Sequence, residues 1–172
     1  AAALLDIVMR LYAPVPAPSL TYLVYLLGLG APHLRAESRA ALKAAKARYA
    51  HAEVEGVTWY WPADENPASA RHRPDGELRL LAPFDPIVWD RRRFALLWNW
   101  EYRFEAYTPA PKRRFGHYAL PMLWGEQVLG WANLRVEDGA LKSQLGFATE
   151  RPRSADFKAA LAAELARLRE FL

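Results

Sequence analysis

Residues 33–61, HLRAESRAALKAAKARYAHAEVEGVTWYW, decide the fold of the first part of the chain. Helical spacing governs as far as Ala50 and β-prone residues follow it. Arg35, Arg39, Lys43 and Lys46 recur at i, i+4, i+8 and i+11. At about 100° per residue they fall within roughly one 80° stripe of a helix. Leu34, Ala41, Leu42, Ala45 and Tyr49 take the adjoining face, and the one acid, Glu37, lies off the stripe. Pro32 suits the first turn, where its missing N–H is one that a helix start leaves unpaired anyway. The two short runs on either side of Gly56 predict a β-hairpin.

Toward the N-terminus, Leu4, Leu5, Val8 and Leu11 stand at helical spacing within residues 1–12. Pro14, Pro16 and Pro18 then break the chain. Ser19 is placed to cap a second helix reaching about Leu27, and Gly28 and Gly30 end it. Helix, helix, basic helix, hairpin is the order of a winged helix-turn-helix, expected over residues 1–62. Residues 63–77 are polar and rich in Pro, Asp, Ala and Arg, which predicts a linker.

Toward the C-terminus the pattern changes to short strands. Leu78–Leu81 predicts one, and Asp90 can cap a short helix over Arg91–Leu97. From Trp98 to Phe104 the even positions are Trp98, Trp100, Tyr102 and Phe104, while polar residues hold the odd ones. That period of two predicts a half-buried strand. TPAPKRR (108–114) then forms a loop whose cationic tip joins two strands. HYALPMLW and QVLGWANLRV are strands joined across Gly125–Glu126, and Asp138–Gly139 turns the chain tightly into LKSQLGF. Ser154 caps a final helix whose Phe157, Leu161, Leu165, Leu168 and Leu172 share one face and pack on the sheet. The expected fold is therefore α+β: a winged helix-turn-helix, then a small mixed antiparallel β domain over 78–172 with a C-terminal packing helix.

Composition excludes several classes of protein. The 172 residues include no cysteine, which removes disulfides, thiolate nucleophiles and cysteine-ligated zinc. It suits a reducing cytoplasm, and a cytoplasmic, nucleoid-associated location is the expectation. The longest apolar run, Ser19 to Leu29, falls short of the roughly 20 residues a membrane span requires, so no membrane partner is expected. Asp6 interrupts the first apolar stretch and no basic segment precedes it, unlike a signal peptide. The chain begins without methionine inside a helical pattern, so it is expected to belong to a longer polypeptide. His33, His51, His72 and His117 are isolated, and neither a glycine-rich phosphate loop nor a GxSxG turn occurs. No metal or other cofactor is expected.

The net charge of +4 is a weak pointer to nucleic acid, so the placement of the cations carries the argument. Arg91, Arg92 and Arg93 sit in the first turn of a helix, where the dipole disfavours cations by roughly 0.3–1 kcal/mol each. Two readings stay open: ion pairs to Asp85 and Asp90, or phosphate held by the arginines and free N–H groups together. Lys112, Arg113 and Arg114 are either a solvated loop or a tip that meets DNA. The helix stripe of Arg35, Arg39, Lys43 and Lys46 is either a soluble face or a contact to the DNA backbone, supplying affinity rather than sequence reading. Trp59, Tyr60, Trp61 and the aromatic residues from Trp98 to Tyr107 are core or base-stacking groups. Asp85, between Pro83 and Pro86, is a candidate to orient a water, with a structural role in the turn as the alternative.

Residues 80–124 resemble the C-terminal signature of the winged-helix DNA glycosylases called AlkZ-like or YcaQ-like. The resemblance lies in Pro83-Phe84-Asp85-Pro86, Trp89-Asp90-Arg91, Tyr102-Arg103, Pro111-Lys112-Arg113 and Tyr118-Ala119-Leu120-Pro121, in that order. It implies a protein of about twice this length, with tandem winged helices and a β domain around a DNA channel. It further implies metal-free hydrolysis of the N-glycosidic bond of bulky alkylated or crosslinked bases. The family's catalytic pair is a Gln-apolar-Gln or Gln-apolar-Asp motif in the N-terminal half. Gln127 and Gln144 are the only glutamines here, and neither has Gln or Asp two residues on.

Three functions follow as expectations. The first is the DNA-binding C-terminal portion of a DNA repair glycosylase, monomeric, bound to double-stranded DNA, with its catalytic motif in an N-terminal half of the same polypeptide. The second is a non-catalytic winged-helix regulator, which predicts an operator and a two-fold dimer. The third is a protein-interaction module that uses the aromatic residues of the β domain.

Overall fold

The first amphipathic segment folds as α1 (Ala2–Tyr12) and buries Leu5 and Met9. The computed structural model describes residues 1–171. Leu4 and Leu11, expected on the packing face, are instead 36% and 62% exposed. The burying face is rotated toward Leu5 and Met9, and Asp6 lies beside it to meet a later helix. The proline segment does more than interrupt the chain. Val15–Pro16 forms a two-residue strand, β1, and α2 (Ala17–Gly30) starts straight after it. Pro18 sits in the first turn of α2, where a missing N–H is harmless. Ser19 is thus not the cap: it lies inside the helix, 2% exposed. Gly28 does not end α2 either. A Cβ there would approach Arg35 Cγ to 3.2 Å, so the glycine makes room for the arginine stem.

A 3-10 turn at Pro32–Leu34 leads into α3 (Arg35–Arg48). Its C-terminal end is tied to α1, since Arg48 Nη2 donates to Asp6 Oδ1 at 2.5 Å and the Tyr49 hydroxyl to the same oxygen at 2.7 Å. Strands β2 (Ala50–Val54) and β3 (Val57–Trp61) form the expected hairpin. Its turn residues, Glu55 and Gly56, have φ of 51° and 74°, the left-handed pair that matches strand twist. The antiparallel sheet has the order β1-β3-β2, so the edge strand from the proline segment completes it. Trp59 and Tyr60 are both 8% exposed and belong to the core.

The chain divides into two compact units, Ala1–His72 and Arg73–Leu172. In the second, β4 (Leu78–Leu80), β5 (Leu120–Trp124), β6 (Gln127–Glu137) and β7 (Ala140–Phe147) form an antiparallel sheet in sequence order. Asp138 and Gly139, with φ of 51° and 72°, make the tight turn that their dipeptide predicts. Neighbouring residues feed opposite faces of this sheet, as the pleat requires. Leu80, Met122 and Leu129 pack with α5 (Ala155–Arg169) through Phe157, Leu161, Leu165 and Leu168. Leu81, Leu123 and Val128 pack on the other side with Phe94, Tyr102 and Phe115. Ser154 Oγ accepts from Phe157 N at 3.2 Å and caps α5 as expected. Leu172, assigned to the same helix face, lies outside the described residues. Glu164, 2% exposed on the buried face of α5, accepts from Leu80 N at 2.8 Å and so satisfies an amide of the edge strand. Trp131 lies flat across Gly146, where a Cβ would come within 2.2 Å of the ring.

The strand expected at Trp98–Phe104 is absent. α4 (Arg91–Trp98) runs to Trp98, and Asn99 in the left-handed conformation (φ 48°) ends it. The chain then runs on without a ladder partner. The burial alternation survives without one, since Tyr102 is 3% exposed and its neighbours Glu101 and Arg103 face water. Ring contacts replace backbone pairing: Trp100 stacks on Trp131 at 6.1 Å and meets Phe115 at 5.4 Å. The Tyr102 hydroxyl donates to Ala119 O at 2.6 Å. Likewise Lys112–Arg114 are not the tip of a strand pair. They follow a 3-10 turn at Ala110–Lys112 in a long loop, and β5 begins only at Leu120.

Candidate nucleic-acid interface

Asp90 caps α4 by accepting from Arg93 N at 3.2 Å, which fixes where the three arginines point. Arg91 and Arg93 turn back to the preceding turn. Arg91 Nη2 donates to Pro83 O at 2.8 Å, and its Nη1 donates to Val88 O. Its guanidinium also lies 4.5 Å from the centroid of the Tyr102 ring. Arg93, 7% exposed, donates to Pro86 O at 3.2 Å. These two side chains meet backbone carbonyls, which are neither the carboxylates nor the phosphate that the sequence suggests. Burial pushes the Arg91 guanidinium down from its usual value, with Tyr102 opposing. Burial also pushes the Tyr102 phenol up to about 12, with Arg91 opposing. Arg92 alone of the three is exposed.

Asp85 belongs to the same turn. Its Oδ1 accepts from Ile87 N at 2.8 Å, and its carbonyl accepts from Val88 N and Trp89 N. The carboxylate therefore closes the turn that Pro83 and Pro86 stiffen.

A cleft of about 680 Å³ opens beside this turn. Arg91, Arg92, Arg103 and Lys112 line it, together with Glu101, Tyr102, Phe104 and Glu105. Lys112, distant in sequence from Arg91 and Arg92, thus meets them at one site. Arg103, legible in the sequence only as part of the Tyr102-Arg103 motif, joins these cations, and its odd position in the alternating run was the available signal. It is 3.8 Å from Glu101, with both side chains largely exposed. Arg113 and Arg114 border a different depression of about 560 Å³, shared with His117, Asn133, Arg135 and Gln144. Arg113 Nε is held by Thr108 O at 2.7 Å.

Glu105, the next odd position after Arg103 in the alternating run, organises this loop from within. It is 5% exposed. Its carboxylate accepts from the amides of Arg114 at 2.9 Å, Phe115 at 2.7 Å and Gly116 at 3.3 Å. Burial opposes ionisation, but the three N–H donors overcome it and hold the carboxyl below its usual range. Three successive amides converging on one anion make a nest, here filled by the protein's own carboxylate.

In the first unit, Arg35, Arg39 and Lys43 are exposed and Lys46 is half-buried. None of the four joins an ion pair or side-chain hydrogen bond among the described residues. No group of three metal-ligating side chains gathers among the described residues. No helix among them is long and apolar enough to cross a membrane.

Comparison with known protein families supplies the class: a DNA glycosylase. The family described as DNA glycosylase AlkZ-like matches residues 1–171, and the chain belongs to it. It is accordingly a member of a DNA repair family whose substrate is DNA, and the resemblance read over residues 80–124 extends to nearly the whole chain. No solved structure gives a significant match to it.

Proposed function

We propose that these residues are the DNA-holding portion of the glycosylase, acting on double-stranded DNA as a monomer. The single observation that carries this reading is the cationic cleft, where Arg92, Arg103 and Lys112 join the half-buried Arg91 around one opening. Exposed guanidinium and ammonium groups gathered in a cleft release counterions when a phosphate backbone enters. Arg113 and Arg114, on the loop held by Glu105, extend the contact. Arg91 and Arg93 serve mainly by fixing the turn that aims Arg92.

The first unit fits a winged helix-turn-helix over 1–62, with 63–77 as the linker. Its order, helix, short strand, two helices and a hairpin, with β1 completing the sheet, supports that reading. The stripe of Arg35, Arg39, Lys43 and Lys46 then meets the DNA backbone. It carries no Asn or Gln for paired hydrogen bonds to adenine.

The reaction is hydrolysis of the N-glycosidic bond of a bulky alkylated or crosslinked base. Water oxygen bonds to the sugar carbon as that carbon's bond to the base breaks. The bonding pair leaves with the base, whose alkylation charge it neutralises, and the attacking water gives up one proton to the surrounding water, leaving a hydroxyl on the sugar carbon. The groups that position this water lie in a Gln-apolar-Gln or Gln-apolar-Asp motif outside residues 1–172. Asp85 is better suited to the turn, because its Oδ1 is already engaged.

Duplex binding against salt tests the proposal. R92A and K112A should each reduce the slope of log K on log salt by about 0.9. A salt-insensitive affinity, or excision of an alkylated base by these 172 residues alone, would overturn it.

A further inference from the structure

The second unit carries aromatic rings that its core does not use. Phe104 is their hub, with the ring centroids of Phe84, Tyr107 and Tyr118 at 5.2, 6.3 and 5.3 Å. The rings meet Phe104 at 67°, 86° and 88°, edge to face. Their residues are exposed by 69%, 94% and 46% respectively. Phe84 does not reach water through a slack loop. Pro83 beside it is fully buried and its carbonyl is bonded by Arg91, while Asp85 on its other side locks the turn. A phenylalanine is thus held outward by rigid neighbours.

Phe104 also lines the cleft that contains Arg92, Arg103 and Lys112. Open π faces next to cations are the combination that takes unpaired nucleotides: bases stack on the rings and phosphates pair with the cations. An intact duplex offers this surface only phosphates, because its bases are already stacked on each other. We propose that Phe84, Phe104, Tyr107 and Tyr118 form a stacking platform for unpaired bases, with the neighbouring cleft holding the phosphates. The chain then binds single-stranded or locally unpaired DNA through contacts that a duplex does not engage. This rests on the DNA reading above and adds the strand state to it.

The test is fluorescence anisotropy of the whole 172-residue chain with a labelled mixed-sequence single strand and with its duplex. F84A and Y107A should each weaken the single strand by about fivefold or more. Duplex affinity should stay within about twofold for both variants. Y107F should restore binding, because it keeps the ring, and Y107L should not. Unchanged single-strand affinity, equal losses on both DNAs, or rescue by leucine would overturn the platform. If R92A weakens the duplex while F84A and Y107A leave the single strand unaffected, the DNA reading stands and the platform falls. If the wild-type chain binds neither DNA, both fall.

Discussion

Replacing Glu105 should loosen the loop that presents Lys112, Arg113 and Arg114, and the effect can be worked from its contacts. The carboxylate, 5% exposed, receives amides from three consecutive residues. Phe115, one of the donors, is itself 4% exposed and water cannot take over its N–H. A buried donor left unmade costs about 1–3 kcal/mol, and hydrogen bonds to a charged acceptor are worth about 1.5–3 kcal/mol. The three donors share one carboxylate, so their contributions overlap, and E105A should lose about 2–4 kcal/mol. E105Q keeps one acceptor oxygen but turns an amide NH₂ toward N–H groups, and should lose about half as much.

Urea unfolding followed by tryptophan fluorescence would measure this, since Trp100 and Trp131 lie 5.4 and 4.8 Å from the Phe115 ring. A chain of two units calls for a fit that allows two transitions. The pH dependence gives a second check. The folded Glu105 carboxyl lies below its ordinary value of 4.5, so the unfolded chain takes up the proton first as pH falls. Its stabilisation is complete above that ordinary value and is lost as pH falls through the folded one. The gap between wild type and E105Q should therefore be largest near pH 7 and shrink as pH falls below that ordinary value. A variant within about 0.5 kcal/mol of wild type at neutral pH, or a gap that ignores pH, would refute the reasoning.

Three further outcomes are expected. R91K keeps the charge but not the reach to both Pro83 O and Val88 O, and should lower the melting temperature of the second unit by roughly 10 °C, at about 4–8 °C per kcal/mol. E164A removes the acceptor for Leu80 N and the partner of Arg167 at 2.8 Å, and should lose about 1–3 kcal/mol by the same urea assay. D85A should cost about 1 kcal/mol, as loss of a cap does, while D85N keeps an oxygen for Ile87 N and should unfold like wild type. If D85N in a catalytically active parent protein abolishes excision without losing stability, Asp85 acts on water after all.

What the sequence determined by itself is local. The hairpin at Gly56, the tight turn at Asp138-Gly139, the caps at Asp90 and Ser154 and the apolar face of α5 were all legible. Each is set by residues within a few positions of one another. The cationic clusters were legible as residue types, but their partners were not. Tertiary structure decided that Arg91 and Arg93 would bind carbonyls of the turn before them, because Pro83 to Val88 folds back over the start of α4. It decided that Trp98–Phe104 has no ladder, because period-two burial can be met by ring packing and says nothing about whether a strand is near enough to pair. The inward turn of Glu105 likewise needed three amides nine to eleven residues away, a meeting that no local pattern encodes. The gathering of Arg92, Arg103 and Lys112 around one cleft follows from those same long-range contacts, since they place the α4 start and the loop on either side of it.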